Sequence, residues 1–234
     1  MISKLEWDTN FFGINIAKME CKSMSEKQFH YDINTLKEEN VKLIYCVCHD
    51  KESEEFASKI GKLVDIKVTY CKTFSNKVLP SDSNTIEEYL DEEPTEELYN
   101  LAIQSGIYSR FNIDQNLPNY KFIELYRTWI RNSTRKQIAS KVLVAKEKNH
   151  LVGMITLGEK EGRADIGLLA VDSNYRGRGI GKSLVFSAEN EFQKRFNEGQ
   201  VVTQKDNTPA CTLYEKCGYT IEKIESIYHI WLEI

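Results

Sequence analysis

The chain is poor in the residues that advertise metal or redox chemistry. It has four histidines, His30, His49, His150 and His229, and they include no i,i+4 pair and no carboxylate cluster. Its six cysteines are scattered and form no CxxC pair. That spacing argues against a zinc site, and no metal is expected. Reduced thiols in a cytoplasmic protein are the expectation. A basic excess is also missing: the net charge is −4, which argues against broad nucleic-acid binding. No apolar run approaches the roughly 20 residues that cross a bilayer. The opening Met1-Ile2-Ser3-Lys4-Leu5-Glu6-Trp7-Asp8 carries no signal-peptide core, so no membrane contact is expected. Neither GxGxxG nor the full GxxxxGK[ST] spacing of a Walker loop occurs, which argues against a dinucleotide fold and a P-loop ATPase. There is no internal repeat.

What is present is a hydrophobic fraction of 41% in 234 residues, enough for one large domain or two small ones. The acidic stretch Ile86 to Pro94 reads as a solvated seam within residues 78–95. It separates a small N-terminal α/β domain, 1–85, from a larger domain, 86–234. In the first part, periodicity predicts a helix over Phe29–Glu39, a buried strand over Val41–Cys48 and a helix over Glu52–Ile60 capped by Gly61. A strand follows over Leu63–Phe74. In the second part it predicts helices over Glu96–Ser105 and Lys121–Arg131, then strands over Val142–Lys146, Leu151–Leu157 and Asp165–Val171. Asn149-His150 and Gly162-Arg163 are read as the turns. A helix over Gly181–Phe196 shows Leu184, Val185, Ala188 and Phe192 on one face. A strand over Gln200–Gln204, a helix over Thr208–Lys216 and two strand-like runs, Thr220–Glu225 and Tyr228–Ile234, close the chain. The fold class is α/β, an α+β mixed sheet with helices on both faces.

The stretch Arg176-Gly177-Arg178-Gly179-Ile180-Gly181 lies between an apolar strand and a helix. Glycines there let backbone approach a ligand, and the first-turn amides of the helix point outward where its dipole favours negative charge. The arginines add fixed positive charge. A phosphorylated ligand is expected, although an ordinary connection between strand and helix has the same look.

The order of parts resembles the GCN5-related N-acetyltransferase (GNAT) family over residues 96–234. Arg176 with Gly179-x-Gly181 is similar to that family's pyrophosphate signature, and Asn207-x-x-Ala210-x-x-Leu213-Tyr214-x-x-x-Gly218 to its second signature. The resemblance implies a twisted central mixed sheet and an acetyl-CoA cosubstrate. It implies cofactor contacts from Leu169, Ala170 and Val171, from Arg176, Gly177, Arg178, Gly179, Ile180, Gly181 and Lys182, and from Asn207, Ala210 and Tyr214. It also implies a backbone oxyanion donor at Leu169 and a general acid at Tyr214. Trp7-Asp8-x-x-Phe11-Phe12-Gly13, Ser109-Arg110-Phe111, Trp129-Ile130 and Ile166-Gly167-Leu168-Leu169-Ala170 further resemble the bacterial TDP-fucosamine acetyltransferase group. That group acetylates a dTDP-linked 4-amino-4,6-dideoxy sugar for surface-polysaccharide synthesis. By that resemblance Arg110 holds the nucleotide-sugar, Asp65 is a substrate contact and a base acting through water, and the protein is a homodimer.

Plainer readings stand beside these. Asn207 is also a good N-cap. Tyr214 suits a packing role, although its seven-residue spacing from Asn207 suggests a shared helix face. Asp65 reads equally as a solvated acid at a strand start, and Arg110 as a surface arginine. Trp7, Phe11 and Phe12 either pack the N-terminal strand or stack on a base or sugar. Another amine acceptor (a protein N-terminus, a polyamine, an antibiotic) and a non-catalytic acyl-CoA sensor remain open.

Overall fold

The computed structural model describes residues 1–75 and 85–233. Of the seam expected over residues 78–95, positions 78–84 lie outside the described residues. The chain groups into two compact units, 1–68 with 223–234, and 69–222.

The first unit contains β1 (Ile2–Lys4), α1 (Glu6–Phe12), β2 (Ile16–Cys21), α2 (Glu26–Glu38), β3 (Leu43–Cys48) and α3 (Lys51–Ile60). It also takes the start of β4 (Lys62–Thr73) and most of β10 (Thr220–Trp231). β2 and β3 run parallel, joined across α2, and β10 lies antiparallel to β3. Every residue of β3 is buried, as its unbroken apolar run demands. Phe29, Ile33 and Leu36 of α2 follow helical spacing and pack on Ala17, Met19, Ile44 and Cys46. Ser25 and Asp50 cap α2 and α3 through their side-chain oxygens. Cys46 and Cys48 are buried, as expected, and the Cys46 sulfur lies 3.4 Å from that of Cys21.

Several first-unit expectations change. The aromatics near the start lie on a helix, α1, and none of its residues is buried. Gly61 does follow α3, but in extended backbone and not the left-handed cap. It is glycine because a Cβ there would stand 2.7 Å from Ile230 Cγ1. The two closing runs form one strand, β10. The polar Glu225-Ser226, where the first run was read to end, is buried, with Glu225 held by Lys67 and Lys223.

The second unit contains β5 (Thr85–Glu88), α4 (Glu96–Ser105), α5 (Arg110–Ile113), α6 (Asn119–Thr134), β6 (Lys141–Glu147), β7 (His150–Lys160) and β8 (Arg163–Val171). It continues through α7 (Ile180–Phe192), β9 (Glu198–Gln204) and α8 (Thr208–Lys216). Strands run in the order β9-β8-β7-β6-β5, with β8 and β9 parallel and the rest antiparallel. The acidic stretch read as a seam thus begins in a strand paired with β6. Both hairpin turns sit one residue earlier than expected, at Lys148-Asn149 and Glu161-Gly162. All four residues have positive φ, the backbone that matches strand twist in two-residue loops. Leu98, Leu101 and Ala102 of α4 and Ile130 of α6 pack with Val142, Val144 and Met154. Gly153, next to Met154 and so on the other sheet face, would put a Cβ 3.0 Å from Leu184 of α7. Helices therefore cover both faces of this mixed sheet.

Candidate functional site

β8 and β9 pair only from Ala164–Gly199 to Ile166–Val201, and both then run on. On its other edge β8 stays bonded to β7, across an irregularity near Thr156. Leu168 N–H donates to Thr156 Oγ1 at 2.8 Å, and Asp172 N–H donates to the Val152 carbonyl at 2.9 Å. Amides alternate edges along a strand, so those of Leu169 and Val171 face the opened side. The Val171 carbonyl on that side accepts Arg176 Nε at 3.0 Å.

The segment after β8 is organised by Asp172. Its Oδ1 accepts the Asn174 amide at 3.0 Å, and its Oδ2 accepts Gln104 Nε2 at 3.3 Å. The Asn174 amide is the strongest influence on this carboxyl. With Gln104 and the Arg176 charge it outweighs burial and holds the group below the usual carboxylate range. Gly177 and Gly179 then adopt φ of +78° and +80°, where a side chain would be strained. Gly179 is the N-cap of α7, and the first helical bond runs from Ser183 N–H to the Gly179 carbonyl. The amides of Ile180, Gly181 and Lys182 precede it and have no partner inside the helix.

These parts line a cleft of about 400 Å³. One wall is Leu169, Ala170 and Val171 of β8; another is Arg176, Gly177, Gly179, Ile180, Gly181 and Lys182. A third comes from the α8 region, including Asn207, Ala210, Leu213 and Lys216. Gln104, Ser105, Ile107 and Tyr108, at the end of α4, complete the lining and were not singled out from sequence. The only hint was the break in helical pattern at Gly106. No Asp or Glu lines the cleft among the described residues, whereas Arg176, Lys182 and Lys216 do.

Most of the expected donor contacts are brought together here, with two exceptions. Arg178 is not among the lining residues; it pairs with Glu147 at 3.2 Å and covers the Tyr175 ring at 4.9 Å. Tyr214 is only 4% exposed and lies off the lining, with its ring 6.0 Å from Tyr70 and 6.1 Å from Tyr219. Asn207 is the cap, before the helix proper, with Oδ1 accepting the Ala210 amide at 3.4 Å. Leu213 continues its cleft face, and Tyr214 is turned about 100° further round. Burial pushes the Tyr214 phenol up, with smaller effects from Cys217 and Cys211.

Sequence reading also missed Lys72. Its Nζ donates to Glu189 Oε2 at 2.6 Å and to the Cys217 carbonyl at 2.7 Å, tying α7 to the end of α8. Burial pushes the Glu189 carboxyl up, against the pull of Lys72. Arg110 opens α5, half-buried, with its guanidinium 4.3 Å over the Phe111 ring, and does not line the cleft. Asp65 belongs to the first unit, on β4, and is 7% exposed. Trp7 of α1 is 48% exposed and stacks on Phe11 at 5.0 Å. Glu20, His49 and Glu225 cluster in the first unit, but Lys18, Lys67 and Lys223 ion-pair with the two carboxylates. Those ammonium groups take the charge that a cation would need, so the cluster reads as a salt-bridge network.

The fold and cleft define an α/β protein that offers an anionic ligand a glycine-rich helix start beside an opened sheet. Residues 96–219, over half the chain, match the Acetyltransferase (GNAT) family, and the chain belongs to it. It is 28% identical over 141 residues to the spore coat polysaccharide biosynthesis protein SpsD of Bacillus subtilis (strain 168). That match covers 58% of this chain and 47% of SpsD. It is 35% identical over 77 residues to streptothricin acetyltransferase of Escherichia coli, covering 32% of this chain and 44% of that protein. The matches thus span less than half the length of these two curated relatives. A GCN5-related N-acetyltransferase from Sphaerobacter thermophilus shares the fold, with TM-score 0.64 and 14% identity. That likeness covers 100% of this chain and 77% of the other. Among the described residues no helix is long and apolar enough to cross a membrane.

Proposed function

We propose that this chain is an acetyl-CoA-dependent N-acetyltransferase whose acceptor is the amine of a dTDP-linked 4-amino-4,6-dideoxy sugar. The observation that carries the donor half is one cleft combining outward amides at Leu169 and Val171 with the cationic glycine loop. When bound, the cosubstrate supplies an activated acetyl thioester. The loop amides and Arg176 hold its diphosphate. The Leu169 amide is aimed where negative charge would gather on a carbonyl oxygen, a contribution of roughly 3 kcal/mol for one such donor. Holding donor and amine together lowers the entropic barrier.

Tyr214 keeps, as a proposal, the general-acid role toward the departing thiolate that the resemblance implies. That role requires its hydroxyl to reach the cleft that its ring does not line. Its raised phenol stays protonated near neutrality, and the transfer then requires the thiolate to be desolvated as well. Asp65 and Arg110 keep, as proposals, the roles that the resemblance implies.

The sugar acceptor is supported by one fact: the relative SpsD is named for polysaccharide biosynthesis. Thiol release from acetyl-CoA is the measurement. Turnover with dTDP-4-amino-4,6-dideoxygalactose, and little with a polyamine or streptothricin, is expected. Preferred turnover of a polycation would overturn the acceptor assignment.

A further inference from the structure

Many cations described in the second unit have a carboxylate beside them. Lys72 meets Glu189, Lys141 meets Glu191, Arg163 meets Glu222 and Arg178 meets Glu147. Lys148, Lys160 and Lys205 have no carboxylate partner among the described residues but lie off the cleft; Lys182 and Lys216 also have none and, like Arg176, line it. Lys182 and Lys216 also stand at one end of it. A Cβ on Gly181 would lie 3.2 Å from Leu213 Cδ2, so the start of α7 abuts α8 at that point. Lys182 is the next residue on α7, and Lys216 is one turn beyond Leu213 on the same face of α8. Two like charges left uncompensated at one cleft end repel each other, a cost removed by an anion between them.

The diphosphate of the donor is already matched by Arg176 and the α7 amides. A second anionic group must account for the lysines, and coenzyme A carries one, the 3′-phosphate of its ribose. A phosphomonoester bears a charge of about −1.5 to −2 at neutral pH. Ammonium groups meet it as point charges without demanding the planar geometry of arginine. We infer that Lys182 and Lys216 form a second phosphate subsite that selects acetyl-CoA over donors lacking the 3′-phosphate. Such donors include acetyl-dephospho-CoA and pantetheine thioesters carried on a protein. The subsite rests on the acyl-CoA reading above.

Calorimetry at low salt compares acetyl-CoA with acetyl-dephospho-CoA. The unmodified protein should bind the first about tenfold more tightly, since each exposed lysine–phosphate contact is worth about threefold. Lys182→Met combined with Lys216→Met should abolish that preference and leave affinity for acetyl-dephospho-CoA within about twofold. Arg176→Ala should weaken both donors alike. Equal affinities in the unmodified protein would overturn the subsite and spare the acyl-CoA reading. Failure to bind either donor would overturn both. Equal weakening of both donors by the double lysine variant would also overturn the subsite, because the lysines would then serve the diphosphate.

Discussion

Tyr214 shows what a single side chain's surroundings decide. Its ring is buried between Tyr70 and Tyr219, and its hydroxyl is part of no hydrogen bond among the described residues. Tyr214→Phe removes one oxygen and keeps the ring that packs there. We expect kcat to fall by roughly 100-fold, the scale of general acid catalysis, with acetyl-CoA affinity unchanged; steady-state kinetics and calorimetry together check this. Unchanged kcat would remove Tyr214 from the chemistry. The cap role of Asn207 was legible because a short polar side chain before a helix has few other uses. The face of Tyr214 was not, because counting seven from Asn207 treats a non-helical cap as a helical residue. Lys72 was illegible: its partners Glu189 and Cys217 are more than a hundred positions away, and no local pattern announces them.

Among the elements, the best-read ones carry their own punctuation. α4 and α8 run over the expected residues because Thr95 and Asn207 cap their starts and glycines follow their ends. α1 and β2 were missed because short elements give too few periods to count. β10 was split because buried polar residues in mid-strand look like a loop until their partners are known. Gly106, just past α4, matters for the cleft. A Cβ there would lie 2.1 Å from Cζ of the buried Tyr126 ring, so Gly106→Ala must displace α6 or the Ser105–Tyr108 wall. A loss of about 1–3 kcal/mol is expected from thermal or denaturant unfolding, with weakened donor binding as the second readout.

For the whole molecule, composition and motif order disclosed the class and the GNAT family, while the return of residues 223–234 to the first unit was hidden. Strand pairing across some 180 positions leaves no mark in either segment alone. That pairing also brings acid sensitivity. Burial works to raise the Glu225 carboxyl, but Lys223 and Lys67 more than offset it and leave the group below its ordinary 4.5. A carboxyl depressed in the folded state stabilises above its unfolded value, and that stability is lost as pH falls through the folded one. The first unit should therefore lose amide protection along β3 below about pH 4.5, and Glu225→Gln should flatten the dependence. Hydrogen exchange followed by mass spectrometry reads both.

The same pairing sets an order of events during synthesis. β3 leaves the ribosome early, yet the strand that covers its free edge is translated more than 170 residues later. For that interval a wholly apolar ribbon has an open margin, the situation in which nascent chains stick to one another or to a chaperone.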